Sequence, residues 1–200
     1  MRLLLALASG LALAAPAAAQ SVPELLSRYS GRARWDPGSG TLRFESSGRV
    51  SFDAPGPEAS IWKVPPAVRR IAIAGGVRVE AAFTVVSSLD IVGEGRSSEI
   101  FGTDQPALLH SLGLDHGGGC MPYSAVFARG GPAVVVNIRH LTSRDPIGFH
   151  FTGAGGAVLH LDGVAAIDDR GGFYNHSDGI QAGKGSTVAD SLFSTGDDVI

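Results

Sequence analysis

Short apolar runs separated by turn residues dominate the chain from Ala67 onward. Each run holds three to five residues rich in Val, Ile and Leu, and clusters of Gly, Asp, Asn and Ser separate one run from the next. Runs of this length and spacing are typical of β-strands. We predict ten strands, at residues 70–73, 77–80, 84–86, 89–92, 107–110, 125–128, 134–138, 148–151, 158–161 and 187–189.

Helical spacing is confined to residues 22–29, where apolar positions recur at i, i+3 and i+4 and Pro23 lies near the start. We predict one short helix there. The rest of the segment 20–66 is rich in turn residues, with Asp-Pro-Gly at 36–38 and Ala-Pro-Gly-Pro at 54–57. We therefore expect 20–66 to be a lead-in or cap for the strand-rich part of the chain.

The strands are short, and neither hairpin turns nor helices separate them, which favours a parallel β-solenoid over a sandwich or a βαβ fold. The tripeptide form D-x-I begins at Asp145, Asp178 and Asp198, in steps of 33 and 20 residues, and we expect these positions to stack on neighbouring coils. We also expect three strand segments to stack in register: 134–136, 157–159 and 187–189. The sequence thus predicts an all-β solenoid over residues 67–200.

Residues 1–19 are typical of a secretory signal peptide. Arg2 supplies a positive charge, an apolar run of 13 residues follows at 3–15, and small residues at 17–19 precede Gln20. The run is too short to span a membrane, which needs about 20 apolar residues, and no later stretch approaches that length. We expect a secreted or periplasmic protein without a membrane span. Because Ile200 lies within an apparent strand with no cap after it, we also expect the chain to be truncated at its C-terminus.

The composition excludes several structural classes and binding partners. Charged residues make up 18% of the chain and the net charge is −3, which excludes a long disordered or coiled-coil protein. The basic residues are scattered and the isoelectric point is near 6.0, which argues against nucleic acid as a partner. The single cysteine, Cys120, cannot form an internal disulfide. We expect a monomer whose core is held by packing alone.

The candidate chemistry lies in residues 167–200. Asp178 follows a polar run, and Asp197 and Asp198 form an adjacent pair. If Asp178 and Asp198 occupy neighbouring coils, about 4.8 Å separates their backbones, and the three carboxylates converge on one groove. One protonated and two ionised carboxyl groups are what glycosidic bond hydrolysis requires. An acidic turn or a calcium site remains an alternative for the same residues.

The same segment resembles glycoside hydrolase family 49, the dextranase and isopullulanase group. The resemblance is carried by the Asp pair at 168–169, GGFYNHSDGI at 171–180, Asp190 with Phe193, and GDDVI at 196–200. The chain is similar, more distantly, to the family 28 polygalacturonases, with which family 49 shares the right-handed parallel β-helix. Family 49 enzymes carry a β-sandwich domain before the helix, for which residues 20–66 are too few.

The resemblance implies an inverting hydrolase that needs no cofactor or metal. Asp197 would be the general acid, while Asp178 and Asp198 would hold and activate the water. Tyr174, Asn175 and His176 directly precede Asp178 and are, with Lys184, the candidate substrate-binding residues. A turn scaffold is the alternative for the first three, and a solvated surface is the alternative for Lys184. We interpret the pair at 168–169 as a turn or a support for the site.

The substrate expected from this resemblance is an internal linkage of an α-glucan such as dextran or pullulan. Alternatives are a galacturonan hydrolase, in which Lys184 and Arg170 would bind a uronate, a β-helical polysaccharide lyase, and a non-catalytic carbohydrate-binding solenoid.

Overall fold

The computed structural model describes residues 20–54, 56–102, 121–170 and 177–199. One α-helix, α1 (Val22–Arg28), lies in this part of the chain and ends one residue before the predicted boundary. Ser21 caps it through a reciprocal pair of hydrogen bonds with Glu24, which satisfies two of the backbone N–H groups that a helix leaves unpaired. Two 3₁₀ turns follow among the described residues, at Gly56–Ser60 and Met121–Tyr123.

The rest of the regular structure in the described residues is β. Most strands are only three to five residues long, and Gly, Asp or Ser is common where the chain turns between them. The strands are β1 (Ala33–Asp36), β2 (Thr41–Phe44), β3 (Gly48–Arg49), β4 (Ile61–Lys63), β5 (Arg70–Ile73), β6 (Arg78–Glu80), β7 (Ala82–Val85), β8 (Leu89–Gly93), β9 (Glu99–Phe101), β10 (Val126–Arg129), β11 (Val135–Arg139), β12 (Thr142–Arg144), β13 (Phe151–Ala154), β14 (Val158–Asp162), β15 (Ala165–Ile167), β16 (Ile180–Gln181), β17 (Thr187–Ala189) and β18 (Leu192–Ser194).

The strands of the described residues form three sheets. Sheet A has the order β4-β7-β10-β13-β16, sheet B has β1-β2-β5-β8-β11-β14-β17, and sheet C has β3-β6-β9-β12-β15-β18. From β4 onward the chain visits A, B and C in that order five times, so each circuit adds one strand to every sheet. Neighbouring strands pair in parallel except β1 and β2, which are antiparallel. The fold is therefore all-β and dominated by parallel sheets.

Aliphatic side chains form a continuous column on the inner face of sheet B. Each member pairs directly with the next across neighbouring strands. The column is Leu42, Ile71, Ile91, Ile138, Leu161 and Val188. The first five are at most 1% exposed, so each circuit rests on the apolar surface of the circuit before it.

Eight of the ten predicted strands overlap an observed strand by two residues or more, and residues 70–73 and 187–189 match β5 and β17 at both ends. The prediction at 148–151 is wrong in position, because β13 begins only at Phe151 and residues 148–150 belong to the preceding turn. The prediction at 107–110 lies outside the described residues. The segment 20–66 is more ordered than its turn residues indicate, since it contributes β1 to β4 to the three sheets.

The predicted register is partly wrong. Residues 134–136 do stack on 157–159, as the pairing of Val135 with Val158 shows. Residues 187–189 pair instead with 160–162, three positions further along. A shift by an odd number of residues moves each side chain to the opposite face of the sheet. The observed register places Val188 beside Leu161 in the inner column, whereas pairing with Val158 would turn Val188 outward.

The stacking expected for Asp145 is also wrong. Asp145 follows sheet C strand β12, whereas Asp178 precedes sheet A strand β16, so the two lie at different points of the circuit. Asp145 has a positive φ of 47° in a turn, which separates it from the regular strands. The 20-residue step, from Asp178 to Asp198, does place its two residues on neighbouring circuits.

The inner column generates a prediction about stability. Ile138→Ala should lower the free energy of unfolding by about 2–5 kcal/mol, because it removes buried methyl groups and leaves a cavity between two circuits. Val86→Ala is the matched control, since Val86 is 44% exposed and should change stability by no more than about 0.5 kcal/mol. Urea denaturation of both variants measures the difference, and equal losses would contradict the inner column as the core.

Candidate functional site

The predicted aspartates lie where the chain leaves sheet C and enters sheet A. We call this region the C–A corner; its described residues are 145–150, 168–170, 177–179 and 195–199. Asp178 lies two residues before β16, and Asp197 and Asp198 follow β18 one circuit later. The corner is made of turns, so its side chains are free of the strict alternation that the strands impose.

Asp178 and Asp198 lie on neighbouring circuits, as their spacing of 20 residues predicts. The N–H of Gly179 donates to the carbonyl of Asp198 at 2.8 Å, and the N–H of Ile180 donates to the carbonyl of Val199 at 2.9 Å. The N–H of Asp198 also donates to Oδ1 of Asp178 at 3.3 Å. The Asp178 carboxyl group is thus oriented as a hydrogen-bond acceptor by the next circuit.

Gly179 makes this close stacking possible. A Cβ atom at this position would collide with the carbonyl oxygen of Val199 and would crowd the ring of Phe193. The glycine of the Asp-Gly-Ile sequence is therefore required by the approach of the next circuit, rather than by a special backbone angle.

Asp197 is held through Ser177, the residue before Asp178. The Ser177 carbonyl accepts from the N–H of Asp197 at 3.2 Å and from the N–H of Gly196 at 3.1 Å. Asp178 is partly exposed, and Asp197 and Asp198 are exposed. The two circuits thus bring the three predicted aspartates together at one corner.

The predicted substrate-binding residues do not join the aspartates in the described part of the chain. Tyr174, Asn175 and His176 lie outside the described residues. Lys184 is exposed, but it lies in the turn after β16, between sheets A and B. The structure therefore does not bring Lys184 to the C–A corner with the aspartates.

A buried ion-pair network lies directly behind the aspartates. The side chain of Asp168 is 0% exposed and pairs with Arg170 at 2.6 Å. Nη2 of Arg170 also donates to the carbonyl of Pro146 at 2.6 Å, and Oδ1 of Asp145 accepts from the N–H of Asp169 at 2.8 Å. The adjacent acidic residues at 168 and 169 were the only sequence signal for this network, because its other members are scattered along the chain.

The pKa values of the network residues follow from burial and pairing. Burial raises the pKa of Asp168, but hydrogen bonds from Arg170 and Ser177 outweigh this and hold the pKa below its usual value. Burial raises the pKa of Asp145, and the nearby charge of Asp168 adds to the rise. Two neighbouring carboxyl groups thus have pKa values shifted in opposite directions.

His150 is enclosed beside this network. Its Nδ1 lies 2.8 Å from Oγ of Ser143, while its buried Nε2 has no hydrogen-bond partner among the described residues. Burial lowers the pKa of His150 to about 3; Asp168 works against this shift, and Arg170 adds to it. The imidazole is therefore neutral at ordinary pH and serves as part of the packed interior.

Neither a metal cluster nor a membrane helix appears in the described parts of the chain. In residues 20–54, 56–102, 121–170 and 177–199, no group of three or more His, Cys, Asp or Glu side chains is arranged to hold a metal ion. No helix in those ranges is long and apolar enough to cross a membrane. Comparisons with family models, curated proteins and solved structures found no match to this chain.

The buried histidine generates a prediction about pH. The folded state keeps His150 neutral down to about pH 3, whereas the unfolded chain binds a proton near pH 6.5. Because only the unfolded state takes up this proton, protonation favours unfolding. The free energy of unfolding is unaffected by His150 above about pH 6.5 and falls as the pH drops toward 3, by up to about 1.4 kcal/mol per pH unit. His150→Gln should flatten the fall in unfolding free energy between pH 6.5 and 4.5, measured by urea denaturation.

His160→Gln is the matched control, because His160 is only partly buried and its Nδ1 contacts the Thr187 hydroxyl at 2.8 Å. It removes an imidazole outside the packed interior, so it shows what the loss of a histidine alone does to the unfolding free energy at each pH. If the unfolding free energies of His150→Gln and the wild type fall equally as the pH is lowered, the interpretation of His150 as a buried neutral side chain is refuted.

Proposed function

We propose that the chain is an exported, inverting polysaccharide hydrolase built on a right-handed parallel β-helix. The repeated A, B, C order of the strands and their parallel pairing support the β-helix. The observation that carries the activity is the meeting of Asp178 with the Asp197–Asp198 pair on neighbouring circuits. An acidic turn alone would not need two circuits to present carboxyl groups at the same corner.

The proposed mechanism divides the work among three carboxyl groups. Asp197, protonated, donates its proton to the glycosidic oxygen as the bond from C1 to that oxygen breaks. A water molecule attacks C1 from the opposite face and loses its proton to Asp178 or Asp198. Asp178 suits the role of base, because the hydrogen bond from the N–H of Asp198 to its Oδ1 fixes the orientation of its carboxyl group. The product is a hemiacetal of inverted configuration.

The charges around the corner favour a neutral glycan over a uronate. Arg170 is only 9% exposed on its side chain and is engaged by Asp168 and the Pro146 carbonyl, so it is poorly placed to bind a substrate carboxylate. Lys184 lies at the far end of β16 from Asp178. The exposed carboxylate of Asp198 would also repel a polyanion. An α-glucan of the dextran or pullulan type is therefore the proposed substrate, cleaved at internal bonds.

Loss of the proposed acid tests the activity. Asp197→Asn, in the full chain as its host produces it, should lower the rate of reducing-sugar release by about 10²–10⁴-fold. Glucan binding should persist, because the amide keeps the shape of the side chain. Dextran, pullulan and polygalacturonate are the three substrates to offer.

Asp190→Asn is the matched control. Asp190 is an exposed carboxylate of the same circuit, but it lies in the turn between β17 and β18, and its φ of 46° suits asparagine equally well. Its variant should release sugar at the wild-type rate within about twofold. Unchanged turnover in Asp197→Asn would refute the assignment of the acid. Sugar release from polygalacturonate alone would refute the proposal that the substrate is a glucan. No release from any of the three substrates would refute the proposed hydrolase activity.

A further inference from the structure

The enclosed carboxylate of Asp168 is bound from several directions. It accepts hydrogen bonds from Arg170, through the backbone N–H at 3.0 Å, Nε at 3.2 Å and Nη2 at 2.6 Å. Its Oδ2 also accepts from the hydroxyl of Ser177. Asp168 thus binds a residue nine positions away in the sequence.

Ser177 passes this restraint to the next circuit. Its side chain is buried, and its Oγ, which donates to Asp168, also accepts from the N–H of Gly196 at 3.3 Å. Its carbonyl accepts from the N–H groups of Gly196 and Asp197. Ser177 is covalently joined to Asp178 as well, so one residue links the backbones of two of the proposed catalytic aspartates.

Stability alone does not explain an ion pair at this position. A buried pair recovers little more than the free energy lost by removing its charges from water, and apolar residues of similar volume often serve as well. A fixed acceptor of defined geometry, by contrast, can determine where a neighbouring hydroxyl points. Catalysis depends on such placement, because a displacement of about 1 Å can cost about 10²-fold in rate.

We propose that Asp168 is a positioning residue, which fixes Ser177 and through it the separation and orientation of Asp178 and Asp197. This inference rests on the proposed hydrolase function and goes beyond it, because it assigns a catalytic consequence to a carboxylate with no access to substrate. Asp168 takes no proton in the reaction. The hydrogen bonds from Arg170 and Ser177 keep its pKa low, so it remains ionised while Asp197 changes its protonation state.

Two variants remove the restraint at different points. Ser177→Ala deletes the hydroxyl that connects Asp168 to Gly196 and leaves the ion pair intact. Asp168→Asn removes the charge within the network. Asp169→Asn is the matched control, because Asp169 is the adjacent carboxylate, its side chain is 64% exposed, and it pairs with Arg144 on the outer side.

Kinetics on the glucan that the wild type cleaves provides the first readout. Ser177→Ala and Asp168→Asn should each lower kcat by about 10–100-fold and leave KM within about threefold, because the substrate still binds but meets misplaced carboxyl groups. Asp169→Asn should keep kcat within about twofold. Thermal melts of each variant identify those that are folded, and Ser177→Ala carries the test if Asp168→Asn does not fold.

Amide hydrogen exchange provides a second readout that needs no activity. A peptide covering residues 195–199 should exchange about tenfold faster in Ser177→Ala, because the N–H of Gly196 keeps only the Ser177 carbonyl as acceptor and the local restraint from Asp168 is lost. Exchange in β14 should stay unchanged. A folded Ser177→Ala variant with wild-type kcat, or with wild-type exchange at 195–199, overturns the positioning role.

The two proposals fail in different ways. If the wild type releases no sugar from any offered glycan, the hydrolase fails, and the catalytic role of Asp168 fails with it, whatever the exchange data show. If the wild type is active and the folded variants lose stability but not kcat, the hydrolase stands and Asp168 has a structural role only.

Discussion

Parallel, in-register pairing between successive circuits is the interaction on which the rest of this structure depends. The inner column of sheet B, from Leu42 to Leu161, is buried only because each circuit lies directly on the one before it. The same pairing sets the relative positions of the corners, because a strand that slips by one residue would turn its apolar side chains outward. Site geometry in this protein is therefore a consequence of strand register.

The C–A corner combines a buried half and an exposed half. Behind the corner, Asp168 and Arg170 neutralise each other in a nearly solvent-free environment. In front of it, Asp197 and Asp198 face solvent on turns that no strand alternation restricts. Ser177 joins the two halves through its hydroxyl and its carbonyl. Such an arrangement suits a reaction that needs exposed carboxyl groups in fixed positions, because the buried ion pair can hold them in place without touching the substrate.

The strands of sheet B from β5 onward, together with β7 and β10 of sheet A, could be predicted from the sequence, because their runs of apolar residues contrast clearly with the turns. Sheet C was largely missed, since strands such as β12 (Thr142–Arg144) and β18 (Leu192–Ser194) are three residues long and partly polar. The 20-residue step from Asp178 to Asp198 predicted their stacking correctly. The step from Asp145 did not, because turn length varies between circuits and a local tripeptide carries no information about that length.

The central claim is that the corner aspartates catalyse hydrolysis by a single displacement. Proton NMR of the first product released from dextran, recorded before mutarotation, tests this claim most directly. The account predicts that the newly formed reducing end has the β configuration, opposite to the α linkage that was broken, because water attacks from the face opposite the leaving group. An initial product with the α configuration would contradict it, since retention requires a covalent intermediate and a different division of roles among the carboxyl groups.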